Sequence, residues 1–101
     1  MDQTQALDIA RKYAEIIKSI YDFQRMFLFG SYAKGNPHED SDIDIAIVFS
    51  DYPNRFDRQV ELMKLTRGVD TRIEPHPFRE KEFDLSDPLV MEIITYGKEI
   101  A

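Results

Sequence analysis

The fold is decided by the stretch Phe27-Leu28-Phe29-Gly30-Ser31, a polar loop, and then Ser41-Asp42-Ile43-Asp44-Ile45-Ala46-Ile47-Val48. Side chains two apart in a β-strand share a face and lie roughly 6.5–7 Å apart along the chain. Asp42 and Asp44 therefore stand side by side, on the face of Ala46 and Val48, while the isoleucines point into a core. Two like charges repel, and a divalent cation between them removes that cost. Since Mg²⁺ is bound by one or two carboxylates together with phosphate oxygens, the pair predicts a metal site.

The residues before the loop indicate a binding site for an anion. An apolar strand is predicted over 25–29, with Gly30-Ser31 at its end and one short helix after it. Backbone N–H groups at such a turn point at the end of the strand, and Gly30 permits close backbone approach. Ser31 adds a hydroxyl donor. Taken alone, the Gly-Ser pair is common, and Lys34 is read as a solvated surface lysine.

Composition limits the class of protein. With 101 residues, the chain is expected to form one domain, residues 1–101, with one modest core. The absence of cysteine excludes disulfides and thiolate metal sites. A net charge of -6 argues against binding bulk nucleic acid through its backbone, although a nucleotide is not excluded. Without a signal peptide or an apolar run of membrane-spanning length, we expect no membrane association and a cytoplasmic location.

The remaining elements are predicted from periodicity and from turn residues. Helices are expected over 4–21, over 55–67, and from Asp87-Pro88 to Gly97. A third strand is expected over 69–75, ended by Pro75 and Pro77, with a helical turn within 78–83. The segment 35–41 is predicted to be a loop in which His38 is exposed and Glu39 and Asp40 add negative charge.

Two further acids compete for a role beside the aspartate pair. Asp70 and Glu74 have the same parity in the third predicted strand, with Arg72 between them. One interpretation is an edge strand with charged residues facing solvent. The other is that one of these acids joins Asp42 and Asp44.

Gly30-Ser31, ten intervening residues and Asp42-x-Asp44 match the signature GSx10DxD. With a strand before Gly30, an apolar strand carrying the acids and a third acid on a later strand, the chain resembles the minimal nucleotidyltransferases of the DNA polymerase β-like superfamily. The resemblance covers nearly the whole chain. It implies an α+β fold, a small mixed β-sheet flanked by helices.

The resemblance also implies roles for individual residues. Gly30 and Ser31 would hold the triphosphate of ATP, and Lys34 matches a second basic position of the family. Asp42 and Asp44 would bind two Mg²⁺ ions, with Glu74 as the third, catalytic carboxylate and Asp70 as its alternative. The third acid of the family is usually Asp, so Glu74 departs from the pattern. Tyr32 departs as well, because many relatives have a basic residue there.

The implied reaction is transfer of AMP from ATP to a hydroxyl group, in which the third carboxylate orients or deprotonates the acceptor. Since 101 residues leave little room for an acceptor-binding domain, the resemblance implies a partner: a HEPN-domain toxin modified on a tyrosine, with this chain as the antitoxin. The first alternative is a binding module that neutralises a partner by occlusion. The second, a domain with an acidic strand and no ligand, is disfavoured because unpaired buried charge is costly. Base specificity and homo-oligomerisation are left open.

Overall fold

Four helices and four strands make up the fold in a computed structural model that describes residues 1–101. In chain order they are α1 (Gln3–Ile20), β1 (Arg25–Phe29), α2 (Ser31–Lys34), β2 (Ile43–Phe49), α3 (Arg55–Leu65), β3 (Ile73–Arg79), α4 (Pro88–Tyr96) and β4 (Lys98–Glu99). Short 3₁₀ turns follow α3 and β3.

The strands form one sheet in the order β3-β2-β1-β4. Strand β1 is antiparallel to both β2 and β4, whereas β2 is parallel to β3. This confirms the predicted α+β architecture with a mixed sheet.

Both faces of the sheet are buried. Successive side chains of β2 point to opposite faces, and apolar residues occur on both. Ile43, Ile45 and Ile47 lie in the larger core, which α1 and α3 cover. Ala46 and Val48 point to the opposite face, where α4 packs through Val90 and Ile93. The predicted division of β2 into two faces is confirmed, and the face that carries Asp44 ends in this second, smaller core.

The predicted end of the third strand is wrong. The strand was expected over 69–75, but β3 begins at Ile73 and continues through Pro75 and Pro77 to Arg79. The helical turn expected within 78–83 is accordingly shorter, a 3₁₀ turn at Glu80–Glu82.

Pro75 and Pro77 are tolerated in β3 because it is an edge strand and because the backbone groups of both prolines point away from β2, the only strand that β3 pairs with. The carbonyl of Pro75 accepts a hydrogen bond from Gln59 Nε2, and that of Pro77 accepts one from the hydroxyl of Tyr52. These carbonyls therefore point away from β2. Since the N–H that proline lacks would point to the same outer side, no hydrogen bond of the ladder is lost.

The helix ends follow local capping chemistry. Asp2 caps α1 in a reciprocal capping box with Gln5. Asp87 caps α4, and Pro88 stands in its first turn, as predicted. Helix α3 ends at Leu65, two residues before its predicted end, where a 3₁₀ turn takes over. No helix combines the length and apolar content needed to cross a bilayer.

Candidate functional site

The candidate site lies where β1 ends and β2 begins, beside β3. Asp42 directly precedes β2, and Asp44 is the second residue of that strand. Asp44 is paired with Phe29 on the β1 side and with Glu74 on the β3 side. The sheet therefore places Asp44 between the end of β1 and the third candidate acid.

The backbone of Gly30 lies against the side chain of Asp44. Its backbone has φ 77° and ψ −154°, a conformation that is essentially restricted to glycine. A Cβ atom built on Gly30 would collide with the carboxylate oxygen Oδ2 of Asp44. Gly30 therefore lies directly against the carboxylate of Asp44, and the phosphate contact expected of Gly30 and Ser31 stays a prediction. Ser31 follows as the first, half-buried residue of α2.

Of the two candidate third acids, Glu74 lies with the aspartate pair. The pKa of Glu74 is raised, first by its partial removal from water and next by a hydrogen bond with Asp42. The negative charges of Asp44 and Asp42 add to this rise, and the nearby His76 opposes it.

Asp70 is engaged elsewhere. The guanidinium of Arg72 donates to both of its carboxylate oxygens, at 2.9 and 2.6 Å. This hydrogen bonding lowers the pKa of Asp70. Asp70 also precedes β3, so the parity that it shares with Glu74 in the sequence does not bring it to the site.

His76 belongs to the site and was missed by the sequence reasoning. Its Nε2 lies 3.2 Å from Oδ1 of Asp44, and the ligand atoms of Asp44, Glu74 and His76 all lie within 4.8 Å of one another. The signal was present, because His76 has the parity of Glu74. It was lost when the strand was predicted to end at Pro75.

Lys34 points to α4. Its ammonium lies 2.9 Å from Oε1 of Glu92 and 5.3 Å from the centre of the Tyr96 ring. The phosphate contact expected of Lys34 stays a prediction. His38, as predicted, is an exposed loop residue.

The chemistry of these donors fits a divalent cation. Asp42, Asp44 and Glu74 offer carboxylate oxygens, which hard cations prefer, and His76 adds an imidazole nitrogen. Burial, together with the negative charges of Asp42 and Asp44, raises the pKa of Glu74, and a divalent cation at this site would offset the repulsion among the carboxylates.

Comparison with known proteins agrees with this geometry. Residues 10–98 match the model of a family described as nucleotidyltransferase domain. The protein adenylyltransferase MntA of Shewanella oneidensis is 32% identical over 90 residues, which make up 85% of this chain and 62% of that protein. The chain therefore spans less than two thirds of the length of this relative.

Two solved structures have the same fold. A toxin–antitoxin complex with AMP-PNP matches at a TM-score of 0.64 and 26% identity, covering 100% of this chain and 73% of the other. A complex of the tri-AMPylated HEPN toxin of Shewanella oneidensis with its MNT antitoxin matches at a TM-score of 0.65 and 25% identity. That match covers 98% of this chain and 71% of the solved one.

Proposed function

Because the chain belongs to the nucleotidyltransferase domain family, we propose that it transfers AMP from ATP to a tyrosine hydroxyl of a HEPN-domain partner protein. The proposal takes residues 1–101 as one minimal nucleotidyltransferase domain. The observation that carries it is the pairing of Asp44 with Glu74 across β2 and β3, where their carboxylate oxygens and a ring nitrogen of His76 lie within 4.8 Å of one another. The similarity to an adenylyltransferase and to an antitoxin complexed with an AMPylated HEPN toxin supports the donor and the partner.

In this proposal Asp42, Asp44 and Glu74 hold the metal, two Mg²⁺ ions in the family pattern. When bound, the ions neutralise charge on the phosphate oxygens and on the departing pyrophosphate. The acceptor oxygen forms a bond to the α-phosphorus of ATP as the bond to the pyrophosphate oxygen breaks. Glu74 takes the proton of the acceptor hydroxyl.

The turn after β1 holds the triphosphate. Gly30 brings the backbone of this turn against the carboxylate of Asp44, so that the phosphate-binding turn lies next to the metal ligand. Ser31 donates its hydroxyl hydrogen bond to a phosphate oxygen. Lys34 exchanges its ion pair with Glu92 for a phosphate when the nucleotide binds.

The test is transfer of label from ATP, labelled in its α-phosphate, to a HEPN-domain protein purified together with this chain. We expect label on the partner with Mg²⁺ or Mn²⁺, and its loss in Asp42→Asn/Asp44→Asn. The matched control is Glu39→Gln/Asp40→Asn, which removes the same charge from the exposed loop and should retain transfer. No label on the partner with any divalent ion would sink the proposal.

A binding module is the second candidate, and the exposed apolar side chains of α4 favour it. Leu89, Met91 and Ile94 are 36%, 51% and 40% exposed. If Asp42→Asn/Asp44→Asn still neutralises the partner fully, occlusion suffices and AMP transfer is not required for neutralisation.

A further inference from the structure

We propose that His76 is a nitrogen ligand of the metal site, so that this site prefers a divalent transition-metal ion to Mg²⁺. The inference rests on the proposed function, because it concerns the metal which that function requires. It adds a donor of a different chemical kind to the carboxylates.

The positions of the donor atoms carry the inference. Ligands bound to one ion at about 2.0–2.2 Å lie about 3 Å apart when they occupy neighbouring positions. Asp44 Oδ1 and His76 Nε2 are 3.2 Å apart, and a carboxylate oxygen of Glu74 lies within 4.8 Å of both. The imidazole nitrogen therefore lies where a ligand that shares an ion with Asp44 would lie.

The backbone holds His76 in this position. In the ladder, Asp44 is opposite Glu74 and Ala46 is opposite His76, so Glu74 and His76 share the face of Asp44. Each of these two β3 residues directly precedes a proline, which restricts it to extended conformations.

The ring is supported as well. Phe29 meets the His76 imidazole edge-on, with the ring centres 5.0 Å apart. Rigid support of this kind lowers the entropy lost when a ligand binds. The His76 side chain is 24% exposed, so the ring can be reached by an ion from solvent although Phe29 packs against it.

The identity of the donor determines which ion is favoured. Mg²⁺ is a hard cation that takes oxygen ligands, whereas imidazole is a common ligand of first-row transition metals. The nitrogen donor that His76 adds to the carboxylates therefore favours a transition-metal ion over Mg²⁺. We choose Mn²⁺ as the probe because it resembles Mg²⁺ most in its preference for oxygen, and because its EPR spectrum reports bound nitrogen.

The experiment uses the whole chain without an affinity tag. Binding of Mn²⁺ and of Mg²⁺ is measured by calorimetry, and pulsed EPR detects nitrogen coupling to bound Mn²⁺, without ATP or a partner. The chain has only two histidines, so His38→Ala is the matched control for His76→Ala. His76→Phe retains an aromatic ring against Phe29 and removes the nitrogen, and thermal unfolding in EDTA verifies that each variant folds.

We expect nitrogen coupling in the unmodified chain and in His38→Ala, where His76 is the one remaining imidazole. Both His76 variants should lose the coupling and bind Mn²⁺ more weakly by about tenfold or more, with a smaller change for Mg²⁺. Mn²⁺ binding without nitrogen coupling in His38→Ala would overturn the inference and leave the proposed function intact. If neither ion binds, with ATP or without it, both the inference and the proposed function fail.

Discussion

Gly30 and Asp44 illustrate how one residue depends on a distant one. The backbone of Gly30 adopts φ 77° and ψ −154°, and a side chain there would meet the carboxylate of Asp44. Two separate constraints therefore require glycine at this position: the backbone conformation and the lack of space for a side chain. The lack of space involves Asp44, which belongs to the candidate site.

The chain provides a comparison that separates the two constraints. Gly35 also has a positive φ, 79°, but no atom lies within 4 Å of a Cβ built on it. We expect Gly30→Ala to weaken ATP binding by about tenfold or more, since it displaces Asp44, and to lower the free energy of unfolding by about 1–3 kcal/mol.

Gly35→Ala should cost about 1 kcal/mol of stability and leave ATP binding unchanged. Calorimetry with Mg²⁺ and thermal unfolding measure both effects. Equal ATP affinities in the two variants would show that the contact between Gly30 and Asp44 has no part in binding.

Glu74 and Asp70 predict opposite dependences of stability on pH. The raised pKa of Glu74 means that its ionised form is disfavoured in the folded protein, so its contribution to stability is present at low pH and lost as pH rises through that pKa. In EDTA, Glu74→Gln should therefore unfold at a higher temperature than the unmodified chain at neutral pH. The difference should shrink as the pH is lowered and Glu74 takes up its own proton.

Asp70→Asn is the control, because its effect on the unfolding temperature at neutral pH should be opposite to that of Glu74→Gln. Arg72 lowers the pKa of Asp70, so this contribution to stability is present at neutral pH and lost as pH falls through the lowered pKa. We expect Asp70→Asn to unfold at a lower temperature at neutral pH, with the deficit vanishing in acid. A destabilised Glu74→Gln at neutral pH would contradict the repulsion inferred for the site.

At the scale of elements, α2 and α4 are linked beside the site by the ion pair of Lys34 and Glu92. The two side chains are 35% and 34% exposed, and pairs with such access to water contribute little to stability. The pair instead competes with any phosphate for the lysine.

We expect Glu92→Gln to leave the unfolding temperature nearly unchanged and to strengthen ATP binding, because it frees the ammonium of Lys34. Lys34→Met should weaken ATP binding. Calorimetric titrations of both variants check this, and unchanged affinity in both would mean that Lys34 only tethers α2 to α4.

At the scale of the whole molecule, the sheet is covered on both faces, but unequally. The larger core receives side chains from α1 and α3, whereas α4 is the helix that covers the face of Asp44. The stability of the smaller core therefore depends on few side chains.

Two adjacent isoleucines of α4 test this dependence. Ile93 is fully buried, and Ile94 is 40% exposed. We expect Ile93→Ala to lower the free energy of unfolding by about 2–5 kcal/mol and Ile94→Ala by about 0.5 kcal/mol. Urea unfolding measures both, and similar losses would mean that α4 does not seal this face.

Local patterns in the sequence determined the acidic strand, the turn before it and most of the helices. Asp42 and Asp44 alternate with isoleucines, and period-two alternation depends only on the geometry of the strand itself. The caps at Asp2 and Asp87 depend on hydrogen bonds within one helical turn. The Gly-Ser turn was predictable for the same reason, whereas the α+β class followed from the resemblance to the nucleotidyltransferase family.

The way in which β3 completes the site depends on contacts between segments that are distant in the sequence. Proline ends a strand in the interior of a sheet and is accepted at its edge, and the edge position of β3 depends on which strands pair. That position continues the strand through Pro75 and Pro77, so that His76 joins Asp44 and Glu74. The resemblance to the family already favoured Glu74 over Asp70. The structure adds the physical reason, because Glu74 is opposite Asp44, and this register is set by contacts between distant parts of the chain.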